Sequence, residues 1–260
     1  LLMRLKTEHE QRVNIENMNQ QKINFFTYIS HDLKTPLTLI LSPLQRLIQQ
    51  PQISNNDKEK LEVIYRNANR MNYLINELLT FSKIEMKQMR ISVRKGDIMH
   101  FLEELSHIFD IVAGEREIDF IVNLEDTEEE VWFSPSKLER ILYNLLSNAF
   151  KYTQPGGYVK LSAKLIKEEK GTFVQISVKD NGRGIPKEAQ EQIFESYYQV
   201  EKRDHREGFG LGLSLTRSLI HMHKGEIRVE SEINKGSDFI VTLNVSEDAY
   251  NPDERSSENI

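Results

Sequence analysis

The sequence predicts a chain of two domains, in which an all-α helical hairpin precedes an α/β domain. Its 260 residues exceed the roughly 100 to 200 that one hydrophobic core usually organises. In the first part of the chain, apolar residues recur at alternating steps of three and four, which is typical of helices that pack side by side. After Met89 the pattern changes to short β-like runs separated by helical stretches. We place the boundary near Gln88 to Lys95.

Composition excludes several classes of function. The chain is 38% hydrophobic and 28% charged, as expected for a globular protein. A net charge of -6 without dense Lys/Arg clusters argues against nucleic-acid binding. The absence of cysteine excludes disulfides and thiol chemistry, and the seven histidines show no zinc-ligand spacing. Since no run of about 18 apolar residues occurs, we expect no direct membrane contact in this fragment.

Two helical patterns and the segment between them predict a hairpin. The first contains Leu33, Leu37, Ile40, Leu44 and Leu47, and the second contains Leu61, Ile64, Ala68, Met71, Ile75 and Leu78. A helix-breaking segment, residues 50–56, separates them, and Asp57 is the predicted N-cap of the second helix. Because a single hairpin covers only half of each apolar stripe, we predict a homodimer that forms a four-helix bundle.

His31 is a candidate reactive residue on the first helix. At 100° per residue it lies about 160° from Leu33, which directs it to solvent, and Thr35 follows one turn later on the same face. Pro36 removes one backbone N–H and is expected to loosen the helix there. Taken alone, such a histidine is more often an ordinary surface residue.

The remaining sequence predicts an open, mixed β-sheet with helices on one face. Predicted strands are Ile91–Val93, Ile118–Leu124, Val131–Phe133, Tyr158–Ile166, Phe173–Val178, Ile227–Glu230 and Phe239–Val245. Helices are predicted over Asp97–Ala113 and Pro135–Lys151, the latter with Ser134 as its cap.

The helix from Pro135 carries a polar flank among apolar residues, formed by Asn144, Asn148, Lys151 and Tyr152. A structural hydrogen-bond network explains such a flank without any ligand. Amide oxygens are also suitable ligands for Mg²⁺, and a lysine can meet phosphate.

Two glycine-rich segments follow, residues 180–185 and 208–213. In the first, Asp180 ends a strand, and its carboxylate can accept a hydrogen bond from an exocyclic amine. In the second, glycines open a helix whose free N–H groups favour phosphate. Each segment alone is a weak signal, because a plain turn or loop explains it equally well.

Taken together, these elements resemble the sensor histidine kinases of two-component systems. Residues 25–37, which contain His31-Asp32 and Thr35-Pro36, resemble the H-box, and the later elements resemble the N, G1, F and G2 boxes, with residues 193–198 as the F-box. The resemblance implies an α/β sandwich of the Bergerat-type ATP-binding fold, shared with gyrase-like and Hsp90-type ATPases. It divides the chain into a signalling helix (1–20), a dimerisation and phosphotransfer hairpin (21–90), an ATP-binding domain (91–246) and a polar linker or tail (247–260).

The resemblance also implies roles for individual residues. His31 is the expected phosphoacceptor, Asp32 its general base, and Thr35 the residue of an additional phosphatase activity. Asn148 is expected to bind Mg²⁺ with the support of Asn144. The ATP-binding set is completed by Lys151, Tyr152, Asp180, Gly182, Gly184, Ile185, Gly208, Gly210, Leu211, Gly212 and Leu213. Asp180 recognises adenine in this scheme, while the glycines after residue 207 meet the phosphates.

The implied function is ATP-dependent autophosphorylation on His31 and transfer to an aspartate of a response-regulator receiver domain, within a cytoplasmic fragment of an inner-membrane sensor. Two alternatives stay open, a gyrase/Hsp90-like ATPase and an inactive nucleotide-sensing dimerisation module. The ATPase is disfavoured because Asn144 stands where those enzymes have a water-activating glutamate. The chain departs from the usual pattern at Gln199 and Val200, where many relatives have arginine, and at Lys224, which replaces a glycine.

Overall fold

The computed structural model describes residues 33–34, 36–49, 54–86, 88–127, 129–199 and 210–256. The chain forms two compact units, Leu1–Met89 and Arg90–Ile260. The predicted signalling helix over residues 1–20 lies outside the described residues. No described helix is long and apolar enough to cross a membrane.

The first unit contains the two helices that the apolar pattern predicts. Helix α1 covers residues 36–48, and helix α2 covers Asn55–Glu85. Leu37 of α1 is buried together with Ala68 and Ile75 of α2, and Leu41 and Leu79 pack against them. Other apolar residues of the predicted stripes remain exposed, namely Leu33, Ile40, Leu47, Ile64 and Met71.

The N-cap of helix α2 lies three residues before the predicted cap. Ser54 is its N-cap, and the Ser54 hydroxyl accepts a hydrogen bond from the Asp57 N–H at 3.2 Å and donates one to the Asp57 carboxylate at 2.8 Å. The prediction that Asp57 caps the helix was therefore wrong. Asp57 occupies the third helical position, where its negative charge still favours the helix N-terminus.

The second unit alternates strands and helices. Its strands are β1 (Arg94–Asp97), β2 (Asp119–Leu124), β3 (Glu130–Phe133), β4 (Tyr158–Glu168), β5 (Gly171–Asp180), β6 (Glu226–Glu232) and β7 (Gly236–Asn244). Its helices are α3 (Ile98–Ser106), α4 (Ile108–Arg116), α5 (Pro135–Tyr152) and α6 (Gly212–Met222).

Five of these strands form one mixed sheet in the order β2-β4-β5-β7-β6, as the alternation of strands and helices predicted. Only β2 and β4 are parallel, and strands β1 and β3 form a separate antiparallel pair. Helix α5 packs on β4 and β5, α6 on β6 and β7, and α3 and α4 on β2. Inward residues of the sheet, such as Val159, Leu161, Ile176 and Val178, are buried beneath these helices.

The stretch predicted as one helix over Asp97–Ala113 is two helices that meet at His107. Asp97 starts α3 as a true cap, since its carboxylate accepts hydrogen bonds from the Met99 and His100 N–H groups. At the other end, the Ser106 hydroxyl donates to the Glu103 carbonyl at 2.7 Å. Such back-bonding bends helices, which accounts for a break that apolar spacing does not reveal.

Two predictions at the ends of this unit were wrong. Residues 91–93 form no strand of either sheet, and Val93 makes a single bridge to Arg255. The expected polar linker or tail, over its described part, packs against the unit through two 3₁₀ turns, Glu247–Ala249 and Pro252–Glu254. One contact accounts for both differences: the apolar side chains of Ile91 and Val93 are buried against Tyr250, so that residues 91–93 pair with the end of the unit and not with a sheet.

Candidate functional site

Both glycine-rich segments meet the polar flank of helix α5. Gly182 lies so close to the Tyr152 carbonyl that a Cβ atom there would overlap it. Eight residues earlier on α5, a Cβ atom on Gly212 would lie 2.7 Å from the Asn144 side-chain oxygen. Because the two glycines contact the same helix, the turn after β5 and the start of α6 border one site. The predicted elements of the second unit thus come together around α5.

The sequence of α5 explains how its flank is presented. Pro135 opens the helix, and the apolar residues Leu138, Ile141, Leu142, Leu145, Leu146, Ala149 and Phe150 are buried. Asn144, Asn148, Lys151 and Tyr152 are half-buried at the edge of this face. Ser134 occupies the cap position, but its side chain makes no capping hydrogen bond. Its N–H instead donates to Nε2 of the buried His223 at 3.2 Å.

The two asparagines of the flank differ in their partners. The Asn144 amide nitrogen donates to the Thr216 hydroxyl at 2.7 Å, which ties α5 to α6. The side chain of Asn148 makes no hydrogen bond with any residue that the structure describes. Asn144 therefore has a structural role, whereas the Asn148 amide is available to a ligand.

Two cations lie against one aromatic ring at the end of α5. The Lys151 ammonium donates to the Tyr152 hydroxyl at 3.0 Å. The Arg183 guanidinium carbon lies 4.3 Å from the centre of the Tyr152 ring, within the range of a cation–π contact. Arg183 was not among the predicted site residues, although its position between Gly182 and Gly184 was a usable signal. Together the two cations favour an anionic ligand at this edge.

Asp180 ends β5 on the face that packs against the helices. Strand alternation puts it in register with Val174, Ile176 and Val178, and its side chain is only 4% exposed. The pKa of the Asp180 carboxyl is raised, chiefly by burial and also by the charge of Asp238. Hydrogen bonds from the Gly182 and Ser237 backbone act in the opposite direction. The structure therefore supplies a buried carboxylate at the edge of the site.

The β6–β7 hairpin holds the turn that follows Asp180. Gly184 has φ +71° and Gly236 has φ +103°, and a Cβ atom on either would overlap backbone of the facing segment. The Ser231 hydroxyl accepts from the Ile185 N–H and donates to the Gly236 carbonyl, both at 2.8 Å. Sequence reasoning missed Ser231 and Gly236, because more than forty residues separate each of them from the turn.

The start of α6 is held by the predicted F-box. Gly210 has φ +69°, and a Cβ atom added to it would lie 2.7 Å from the Tyr198 carbonyl oxygen. The Tyr197 N–H donates to the Gly210 carbonyl at 3.0 Å. Leu211 is buried, and Gly212 and Leu213 begin α6. Gly208 and residues 200–207 lie outside the described residues, as do His31, Asp32 and Thr35.

The described part of the site contains no carboxylate cage for a metal. Within the described ranges, no group of three or more His, Cys, Asp or Glu side chains is arranged to hold a metal ion. Asn148 offers an amide oxygen whose side chain has no hydrogen-bond partner among the described residues, and Mg²⁺ commonly takes one or two protein ligands together with phosphate oxygens and water. The residues present therefore fit a magnesium ion that arrives with a phosphorylated ligand.

Two family models match the chain in sequence. Residues 21–87 match the His Kinase A (phospho-acceptor) domain. Residues 133–247 match the family described as Histidine kinase-, DNA gyrase B-, and HSP90-like ATPase. The boundary between the two structural units lies between these matches.

Curated relatives are similar over nearly the whole chain. Histidine kinase P4 of Formosa agariphila is 36% identical over 92% of this chain and 18% of its own length. Sensor histidine kinase WalK of Bacillus subtilis is 33% identical over 90% of this chain and 38% of its own length. The chain thus spans well under half the length of these relatives.

Solved structures show the same architecture. Full-length ShkA in complex with AMPPNP is 25% identical with a TM-score of 0.73, over 86% of this chain and 46% of that one. The catalytic domain of histidine kinase ThkA is 25% identical with a TM-score of 0.53, over 62% of this chain and all of that one. With a phospho-acceptor domain and an ATPase domain in tandem, this chain belongs to the histidine kinase family.

Proposed function

We propose that the chain binds ATP with Mg²⁺ and transfers the γ-phosphoryl group to His31 as a protein-histidine kinase. The observation that supports this most is the tandem of a phospho-acceptor hairpin and an ATPase-type site whose helix α5 carries Asn144 instead of an acid. An amide cannot accept a proton, so water near the γ-phosphate is poorly activated. The phosphoryl group is then available to an imidazole.

In this proposal adenine lies beside Asp180, where the buried carboxylate accepts a hydrogen bond from the exocyclic amine. Gly182 and Gly184 let this turn pack closely on its neighbours, because a side chain at either position would overlap the backbone of Tyr152 or of Glu232. Ile185 is half-buried next to these glycines and offers apolar contact. Two hydrogen bonds keep this turn in place. The Ser231 hydroxyl accepts from the Ile185 N–H, and the Asn234 N–H donates to the Arg183 carbonyl.

The phosphates lie between the end of α5 and the start of α6. Lys151 and Arg183 supply positive charge, and the first N–H groups of α6 around Gly212 face an anion without a side chain in the way. Asn148 and phosphate oxygens hold Mg²⁺, which screens the negative charge of the phosphates. Residues 202–206, which include two arginines and a lysine, are candidates for a further cationic contact.

In the transfer step, an imidazole nitrogen of His31 attacks the γ-phosphorus while the bond to the leaving oxygen of ADP breaks. Asp32 accepts the proton from the other ring nitrogen, so that the phosphorylated imidazole stays neutral at the ring. Catalysis is mainly positioning and electrostatic stabilisation, as is general for phosphoryl transfer.

The hairpin acts as a homodimer in this proposal, because Ile40, Ile64 and Met71 leave apolar surface uncovered in one chain. The phosphoryl group passes from His31 to an aspartate of a response-regulator receiver domain. Thr35 orients the water that hydrolyses the phosphorylated receiver domain, which gives the chain an additional phosphatase activity. The chain is the cytoplasmic part of an inner-membrane sensor.

Incubation with γ-labelled ATP and Mg²⁺ separates the candidate functions. We expect acid-labile label on the wild-type protein, none on His31→Gln, and full label on the control His100→Gln, which alters an exposed histidine of α3. Release of free phosphate without protein label would instead support a gyrase-like ATPase. Nucleotide binding with neither product would support an inactive sensing module.

A second variant tests the metal ligand. Asn148→Ala should reduce autophosphorylation at least about a hundredfold, because the electrostatic contribution of a bound metal is worth several kcal/mol. Ser147→Ala, which changes an exposed neighbour on α5, is the matched control. Undiminished labelling of Asn148→Ala would contradict the assignment of Asn148.

A further inference from the structure

The two ends of the second unit are joined by backbone hydrogen bonds. The Val93 N–H donates to the Glu254 carbonyl at 2.8 Å, and the Ser256 N–H donates to the Val93 carbonyl at 2.9 Å. These bonds make the parallel bridge between Val93 and Arg255. We call residues 247–256 the clasp. Its residues beyond 247 and the bonded residue Val93 lie outside both family matches.

A buried tyrosine anchors the clasp. Tyr250 is only 2% exposed and packs with Ile91 and Val93, both of them buried. The Tyr250 hydroxyl donates to the Asn244 carbonyl at 2.5 Å and to the His223 carbonyl at 3.3 Å. Trp132, Met222 and Ala249 complete the cluster. Removal of the clasp would expose residues 91–93 to water on this side.

Ion pairs and a capping box stiffen the clasp itself. The Arg255 guanidinium donates to the Glu247 carboxylate at 2.7 Å across the two 3₁₀ turns. Asn251 and Glu254 form a reciprocal capping box, and the Lys224 ammonium lies 3.8 Å from the Glu254 carboxylate. The segment therefore acts as one piece rather than as a loose tail.

Backbone hydrogen bonds hold the end of the first unit against helix α2 as far as Met89, two residues before Ile91. The Gln88 and Met89 N–H groups donate to the Lys83 carbonyl at 3.0 and 3.2 Å. Ile91 is already buried against Tyr250. Between these two attachments, Arg90 is the one residue bonded to neither side, and it is exposed.

We infer that the clasp is a conformational device that sets the length of the hinge between the phospho-acceptor hairpin and the ATPase unit. With the clasp closed, the hinge is confined to Arg90. With the clasp open, residues 90–93 are free, and the ATPase unit gains freedom relative to the hairpin. Any event that draws residues 247–256 out of their place therefore changes how often the two units meet.

Hydrogen exchange of the full chain tests the closed state directly. In Tyr250→Ala, peptides that cover residues 90–96 should exchange at least about tenfold faster, while peptides of β5 and β7 keep wild-type rates. Asp253→Ala, which alters an exposed clasp residue, should change neither. Unchanged exchange at residues 90–96 would overturn the inference. Equally faster exchange in β5 and β7 would also overturn it, because Tyr250 would then stabilise the whole unit and not the hinge in particular.

Ser256→Pro is a milder variant in case Tyr250→Ala unfolds the unit. It removes the N–H that donates to Val93 together with the serine hydroxyl, and Arg255 already has the extended backbone, φ -97° and ψ 128°, that a following proline requires. We expect faster exchange at residues 90–96 and unchanged ATP affinity. Wild-type exchange in this variant would show that the backbone bonds do not hold the hinge.

The effect on activity rests on the proposed kinase function. At saturating ATP, Tyr250→Ala and Ser256→Pro should lower the autophosphorylation rate roughly two- to eightfold, because the effective concentration of tethered partners falls about as the −3/2 power of tether length. An unchanged rate with faster exchange would overturn the functional part of the inference. A wild-type chain without any autophosphorylation would refute the kinase proposal, while the exchange experiment still decides the clasp.

Discussion

Helices α2 and α5 both carry apolar residues at helical spacing, but they bury them to different extents. On α5, Leu138 and Leu146 are fully buried beneath the sheet. On α2, Ala68 and Ile75 are buried against α1, whereas Ile64 and Met71 are about half exposed. The α/β unit closes its own core, while the described hairpin leaves one apolar stripe uncovered. The same spacing therefore predicts a helix in both places without telling which partner covers it.

The largest expected effect is on the closed core. Leu146→Ala should destabilise the α/β unit by about 2–5 kcal/mol, because it leaves a cavity in a site that cannot collapse. Leu39→Ala, at an exposed leucine of α1, is the control and should change stability by under about 0.5 kcal/mol. Urea unfolding followed by fluorescence of Trp132, the single tryptophan, measures the stability of the α/β unit, and the loss of helical circular dichroism, to which α1 and α2 contribute, measures that of the hairpin. Equal effects of the two variants would abolish the contrast between closed and open cores.

Acid should weaken the closed unit through His223. The pKa of His223 is lowered from its ordinary value of 6.5 to about 4, chiefly by burial; the hydrogen bond to the Leu219 carbonyl acts in the opposite direction, and the charge of Lys137 contributes to the lowering. The unfolded chain thus binds more protons between these values, so stability falls as the pH drops from 6.5 towards 4, by up to about 3 kcal/mol.

Unfolding of wild type and His223→Gln between pH 7 and 4 measures this contribution. The raised pKa of Asp180 acts in the opposite sense, since a carboxyl that gains a proton in the fold stabilises it as the pH falls. The difference between the two profiles isolates the imidazole, so it should change between about pH 6.5 and 4 and stay constant at lower pH. Parallel profiles over the whole range would show that His223 is not held neutral.

A smaller effect is expected at the open stripe of the hairpin. Met71→Lys puts a charge on the uncovered apolar face and should weaken dimerisation at least about tenfold, which is about 1.4 kcal/mol. Asn69→Lys adds the same charge at a solvent-exposed position of α2 and should leave the dimer intact. Sedimentation velocity over a dilution series gives both affinities. A Met71→Lys dimer as tight as wild type would mean that something else covers the stripe.

The smallest effect concerns one residue at the end of α6. Lys224 has φ 53°, in the left-handed region where glycine is unstrained. Lys224→Gly should stabilise the α/β unit by about 0.5–1 kcal/mol in thermal unfolding. Lys224→Ala loses the contact with Glu254 but keeps a Cβ atom, so it should bring no gain.

Local rules accounted for the parts of the site that lie within one element. Helical periodicity put Asn144, Asn148, Lys151 and Tyr152 on one flank of α5, and strand alternation put Asp180 at the inner edge of β5. Both depend on backbone geometry, which repeats every few residues and is legible in the sequence. The order of motifs along the chain was enough to indicate the family that the comparisons bear out.

Other features depended on contacts between distant residues. The stacking of Arg183 on Tyr152, the support of Ile185 by Ser231, and the pairing of Val93 with the clasp join segments that are about 30 to 160 residues apart. The different partners of Asn144 and Asn148 belong to the same class, because only the packed position of α6 brings Thr216 to one amide and not to the other. The sequence by itself determined which helices and strands form and which residues share a face, since these follow from local periodicity. The tertiary structure alone decided which of those faces meet, since burial and hydrogen bonding act on whatever the folded chain brings together.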